Sequence, residues 1–216
     1  MNQIESRMKT YSLLNCCLRA FPNRTGWLAM LLLAAWAVLT PQLTAAPNLI
    51  WDVTPGTTGA QDGSGTWNAG NLNWWDASTS TDVIWNTASN ALFGAGSGSG
   101  TVTLGGSITA FSLQFNATGG TNYLIAGGGN TLTISSGGSL NISSGVSPVI
   151  SANISATAGN TTINGPGTLN QIGNYDATGQ QFTIGSGTLN FSGTTLNASK
   201  LIMSGGGTIR LPIRLT

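Results

Sequence analysis

The residues best equipped for chemistry lie in one stretch, "WDVTPGTTGAQDGSGTWNAGNLNWWDASTSTDVIW", from 51 to 85. It carries Trp51, Trp67, Trp74, Trp75 and Trp85 among Asp52, Asp62, Asp76 and Asp82, and contains no Lys, Arg, Glu or His. Two roles suit such a set. Exposed indole faces stack on sugar rings while carboxylates and amides bind the hydroxyls, and on that reading Trp74, Trp75, Trp67 and Asp76 form the binding surface. Alternatively, the aromatics close the end of a repeat stack, because a terminal repeat has no predecessor to bury its apolar face. Each aromatic side chain covers about 150 to 250 Å². Capping is the favoured role. Trp74 and Trp75 would nevertheless point to opposite sides of an extended strand, so one of them remains for a ligand.

Catalysis finds little support. Glycoside hydrolysis needs two flanking carboxylates, and charge developing in a transition state needs positioned donors, cations or a metal. Residues 101 to 216 offer only Asp176, Lys200, Arg210 and Arg214. The Asp residues of the Trp-rich stretch sit beside Gly, Ser or Thr, where an aspartate usually makes a turn bond to its own backbone. "DGSG" at 62–65 opens like a calcium loop but lacks the further acidic ligands. "GAGSGSG" at 94–100 lacks the Lys-Ser/Thr of a phosphate loop and reads as a turn or linker. The sequence therefore predicts no catalytic residue, no metal and no cofactor.

The elements that must position these residues begin after a leader. Residues 1–25 carry Glu5, Arg7, Lys9, Arg19 and Arg24, followed by the uncharged "WLAMLLLAAWAVL" at 27–39 and the small residues "TAA" at 44–46. A basic segment, an apolar segment and a small-residue zone describe a secretory signal peptide. Thirteen helical residues reach only about 20 Å, short of a hydrocarbon core of roughly 30 Å. Residues 1–46 are assigned to the signal peptide, with cleavage favoured after Ala45. Cys16 and Cys17 belong to it, which leaves the remainder without cysteine.

Residues 47–216 hold three cations, Lys200, Arg210 and Arg214, against Asp52, Asp62, Asp76, Asp82 and Asp176, a net charge of −2. No basic patch or cationic amphipathic helix is available for nucleic acid or for a membrane surface. Low charge with many β-branched residues is the opposite of a disordered composition. From residue 101, apolar pairs recur two apart, as in Val102/Leu104, Leu132/Ile134, Leu140/Ile142, Phe182/Ile184, Leu189/Phe191 and Ile209/Leu211. This is strand spacing, and Gly-rich turns separate the pairs. Leu132 to Ala152 and Leu189 to Ile209 are both 20 residues, Phe182 to Leu201 is 19, and Leu140/Ile142 finds a counterpart at Thr161/Ile163. A period near 20, built of a short and a long step, fits coils of a β-solenoid that bury their faces against one another. "SITAFSLQFN" at 107–116 switches parity, which requires a bend between Ala110 and Phe111.

The ordered series "WD", "GTW", "NWWD", "VIW", "ALFG", "VTLGG", "LQFNATGG" and "NTLTISSGG", with "GPGTLN", "GSGTLNFSG" and "GGGTIRL" beyond, resembles the autotransporter-associated β-strand repeat proteins, also called passenger-associated transport repeat proteins. The resemblance spans roughly residues 50–211. It implies a very large secreted or surface protein of a Gram-negative bacterium, with Gly-Thr-Leu repeats wound into a right-handed parallel β-helix. This chain is a short or truncated member of that pattern: it stops at "LPIRLT" without the family's barrel or a sorting tail, so the delivery route does not carry over.

The resulting expectation is an all-β chain: signal peptide 1–46, Trp-rich N-terminal cap 47–100, and a β-solenoid of about five or six coils over 101–216, with a β-sandwich as the alternative fold. The expected role is non-enzymatic, structural or adhesive, at the bacterial cell exterior: extracellular or outer-membrane associated, or periplasmic if not exported further. The alternative is a carbohydrate-binding module. An extracellular polysaccharide or a cell-surface partner is expected, alongside end-to-end self-association. Nucleic acid and a membrane span of the mature chain are not expected.

Overall fold

The computed structural model describes residues 45–96, 98–116 and 122–212, so the signal-peptide assignment lies almost wholly outside the described residues. Nineteen short strands run β1 (Asn48–Trp51), β2 (Gly65–Trp67), β3 (Trp74–Asp76), β4 (Thr81–Val83), β5 (Asn90–Phe93), β6 (Thr101–Leu104), β7 (Ile108–Ala110), β8 (Ser112–Phe115), β9 (Leu124–Ala126) and β10 (Thr131–Ile134). The series continues with β11 (Ser139–Ile142), β12 (Val149–Ile150), β13 (Asn153–Ser155), β14 (Thr161–Asn164), β15 (Thr168–Gln171), β16 (Tyr175–Ile184), β17 (Thr188–Phe191), β18 (Leu196–Met203) and β19 (Thr208–Arg210). No helix occurs among the described residues.

The strands stack in parallel as a β-solenoid of about five turns. One ladder runs β7, β10, β13 and the first halves of β16 and β18. A second runs β1, β5, β8, β11, β14 and the second halves of β16 and β18. The third runs β2, β6, β9, β12, β15, β17 and β19. Stacked parallel coils of this kind exclude the β-sandwich alternative.

Alternation explains each strand. In TLTI of β10, SLNI of β11 and TLNF of β17 the second and fourth residues are buried while Thr, Ser and Asn stay partly exposed. Register then puts like on like. Leu132 lies beside Ile154, Leu140 beside Leu113 and Ile163, and Leu169 beside Leu189, with Ile209 next. Phe93 stacks on Phe115 at 5.3 Å. The core therefore runs unbroken from the Trp-rich segment into the repeats.

Three observations refine the sequence expectations. First, each coil has three strands, not a short and a long step. The third ladder, marked by Val102/Leu104 in β6 and Leu189/Phe191 in β17, carries no inward apolar pair between them at β9, which buries only Ile125, or at the two-residue β12. Second, the period is not constant. Leu113 pairs with Leu140, 27 residues on, whereas Phe182 pairs with Leu201, 19 residues on. Leu132 consequently lies against Ile154 and not Ala152, and Leu140 against Ile163 and not Thr161. Turns absorb the extra residues while the strands keep their register. Third, the parity switch at 110/111 is a corner between β7 and β8. Phe111 is the corner residue, half-buried, while Leu113 and Phe115 point inward.

Corners are tight enough to dictate glycine. A Cβ at Gly138 would fall on the Phe111 carbonyl oxygen of the coil below. At Gly165 the backbone has φ +89°, a left-handed conformation that L side chains avoid, and a Cβ there would meet the Ile142 carbonyl oxygen.

Candidate functional site

The candidate site is the N-terminal cap. The only antiparallel strands among the described residues are here: β3 pairs with β1 through Ile50–Trp75 and Trp51–Trp74, and β4 pairs with β3. This hairpin folds over the first coil. Strand alternation sends Trp51, Trp67 and Trp74 inward, each wholly buried, and Trp85 follows β4 into the same cluster. Trp74 touches Trp51 edge-on at 5.3 Å, Trp67 at 5.0 Å and Trp85 at 4.5 Å, and Phe93 at 5.7 Å. Edge-to-face contacts place the positive ring edge against a negative ring face, worth about 0.5 to 1.5 kcal/mol per pair beyond burial. Trp51 Nε1 donates to the Gly63 carbonyl and Trp85 Nε1 to the Thr109 carbonyl.

Trp67, Trp74, Trp75 and Asp76, the residues expected to bind sugar, do not share one exposed surface. Trp67 and Trp74 are fully buried and offer no ring face to a ligand, a correction to the sugar-stacking assignment. Trp75 points the other way, as strand geometry requires, and is 9% exposed. It lines a cleft of about 530 Å³ with Leu72, Asp82 and the loop residues Pro55 to Thr58. Asp76, one residue further, turns away from it and lines a separate cleft of about 510 Å³ beside Trp85 and Ile84.

The aspartates divide by environment. Asp76 Oδ1 accepts the Ser78 N–H at 2.8 Å and the Ser78 hydroxyl at 2.6 Å, and these bonds hold its carboxyl below the usual range. It is the turn residue expected from its neighbours. Asp62 binds two backbone amides and a tyrosine hydroxyl. Its carboxylate accepts the N–H groups of Gly94 and Gly98, each at 3.0 Å, and the Tyr123 hydroxyl at 2.6 Å. Gly94 and Gly98 of the "GAGSGSG" stretch thus bind a carboxylate. Tyr123 is held well above its ordinary pKa by burial and by Asp62, and its oxygen accepts the Gly63 N–H at 3.1 Å. No sequence spacing singled out Tyr123, because its partner lies 61 residues away.

Asp52 is fully buried. Its Oδ1 accepts the N–H of Thr54 at 2.9 Å and of Gln61 at 3.2 Å, drawing residues 53–61 into a loop. Burial raises its pKa, the two N–H bonds oppose this, and the neighbouring Asp82 carboxyl adds to the rise. Asp82 Oδ2 accepts the Gly56 N–H at 2.6 Å. Asp52 Oδ2 and Asp82 Oδ1 are buried without a protein donor.

Among the described residues, no group of three or more His, Cys, Asp or Glu is placed to hold a metal ion. No helix of the described residues is long and apolar enough to cross a membrane. No protein-family model, curated protein or solved structure matches the chain.

Proposed function

We propose that this chain is an exported, non-enzymatic β-solenoid with a structural or adhesive role at the exterior of a bacterial cell, of the passenger-associated repeat type that its motifs resemble. The observation that supports it most is the cap. Four indoles closed under a hairpin protect the first coil, which is the requirement of a repeat stack and not of a sugar platform. Outward positions along the ladders carry Thr, Ser and Asn, an uncharged polar surface suited to adhesion. At the opposite end, Leu201 and Met203 are 44% and 49% exposed although their register partners Phe182 and Ile184 are core residues. These exposed apolar side chains support self-association of the chain through the face they form.

Fractionation of a Gram-negative host expressing the full gene tests the reading. Mature protein beginning at Ala46 or Pro47 on the cell surface or in the medium supports it. Intact Met1 in the inner membrane or cytoplasm sinks it.

The exposed edge of Trp75 in the Leu72–Asp82 cleft favours one second reading, carbohydrate binding at a single subsite. Loss of polysaccharide pull-down on Trp75→Ala or Leu72→Ala, with melting largely preserved, would establish it.

A further inference from the structure

The second ladder ends in two strands that complement each other. Beyond β1 and β3 it stops at β4, which bonds to β3 alone, and at the far side it stops at β18, which bonds to β16 alone. Edge strands present a row of N–H and C=O groups to any strand that comes alongside. Their directions agree. β3 runs antiparallel to β1 and β4 antiparallel to β3, so the two reversals cancel. β4 therefore points the same way as the parallel coil strands, β18 included.

Charge divides the same two ends. Asp52, Asp62, Asp76 and Asp82 lie in the cap, and the sequence has no Lys, Arg or His between Arg24 and Lys200. Lys200 in β18 and Arg210 in β19 are both exposed on the last described coil. Apolar side chains follow suit. Leu201 and Met203 are exposed beside Phe182 and Ile184, while Val83 packs on the core beyond Trp74 and Ile84 is exposed next to it.

We propose that copies of this chain stack head to tail, with β18 of one copy pairing in parallel with β4 of the next, Lys200 beside Asp82 and Leu201 beside Val83. The proposal rests on the self-association supported by the exposed Leu201 and Met203, and it names the surface that they meet.

Side-chain parity selects this register. Val83 lies opposite the buried Trp74, and Asp82 lies opposite Trp75 on the outer face. On β18, Leu201 lies beside the core residue Phe182, so Lys200 faces outward. Setting Lys200 against Asp82 keeps both faces in step and brings Ile202 beside Ile84. A slip of one residue would turn every side chain to the wrong face, and a slip of two would part Lys200 from Asp82. Asp82 Oδ2 accepts the Gly56 N–H while its Oδ1 lacks a donor among the described residues. The Lys200 ammonium of the neighbouring copy supplies that donor.

A head-to-head pair fits less well. A two-fold axis would set Lys200 and Arg210 against their own equivalents, so like charges would meet. Head-to-tail contacts along the solenoid axis are heterologous and do not close, which makes the product an open fibre.

Sedimentation velocity of the exported chain over a concentration series reads the stack. The wild type should form dimers, trimers and longer species, and should dissociate in about 1 M salt, where the screening length falls to about 3 Å. Lys200→Asp and Asp82→Lys should each weaken association by about tenfold or more, since like charges then face each other. An equimolar mixture of the two should regain it, because each altered end meets an opposite charge on the other variant. Asp82→Lys gives up the Gly56 bond, so a cysteine pair provides a second test away from that site. Residues 47–216 contain no cysteine. Thr81 and Ser199 are exposed and become neighbours in the proposed register, about 4.8 Å apart and within disulfide reach. On mild oxidation the Thr81→Cys/Ser199→Cys double variant should give a ladder of covalent oligomers, and either single variant only monomer. A wild type that stays monomeric, a Lys200→Asp variant that associates like the wild type, or a double variant without the ladder overturns the stack. A covalent dimer from Ser199→Cys alone, with association that stops at two copies, overturns the head-to-tail contact while self-association stands as a head-to-head pair.

Discussion

Replacing Trp74 by alanine separates the cap from a binding platform. Trp74 is wholly buried and touches Trp51, Trp67, Trp85 and Phe93. Burying about 150 to 250 Å² at roughly 25 cal/mol per Å² gives about 4 to 6 kcal/mol as an upper bound. Measured large-to-small core changes of Trp cost about 3 to 5 kcal/mol. Since domains of about 150 to 250 residues lose about 2 to 4 °C per kcal/mol, the melting temperature should fall by about 6 to 20 °C. The same substitution at Trp75 removes a side chain from the outer face and should cost clearly less. Thermal denaturation followed by circular dichroism supplies the comparison, and hydrogen exchange locates the damage. Because solenoid coils depend on their neighbours, protection should be lost first in β1 and β5 and last in β15 and β17. Equal losses for the two variants, or a Trp74→Ala protein that melts with the wild type, would refute the assignment of Trp74 to the core.

Gly138→Ala should cost about 1 to 3 kcal/mol, the range for overpacking, because the new methyl meets the Phe111 carbonyl and β11 must shift; urea denaturation measures it. Tyr123→Phe should loosen the hold of Asp62 on Gly94 and Gly98 by removing the hydroxyl that Asp62 and Gly63 share, so those two amides should exchange faster while β10 to β14 keep their protection. Ser80 is the one non-glycine with positive φ, 54°, among the described residues, and Ser80→Gly should stabilise the hairpin by about 1 kcal/mol in a melting comparison. Amides of residues 200–210 should exchange faster than those of 130–155 in dilute solution, and become protected at concentrations where sedimentation shows association. Equal protection in the monomer would show that the last coil is closed.

The fold was legible in the sequence because β-structure is written at a spacing of two. Val102/Leu104, Leu140/Ile142 and Leu189/Phe191 specify their inward faces without reference to any other residue, and a coil that buries apolar residues on one side needs another coil against it. Indole area in the first coil likewise pointed to a cap, and Trp74 beside Trp75 already required opposite directions. Coil length was not legible. It depends on how many residues each turn holds, from the 27-residue step between Leu113 and Leu140 to the 19-residue step between Phe182 and Leu201, and turn residues carry no periodicity. Nor were the pairs that define the cap's chemistry. Asp62 meets Tyr123 and Asp82 meets the Gly56 amide only because the hairpin and the coils bring distant segments together. Local pattern tells a side chain which way to point. Only the closed stack decides which groups it finds there, and whether a carboxyl meets a hydroxyl or an amide.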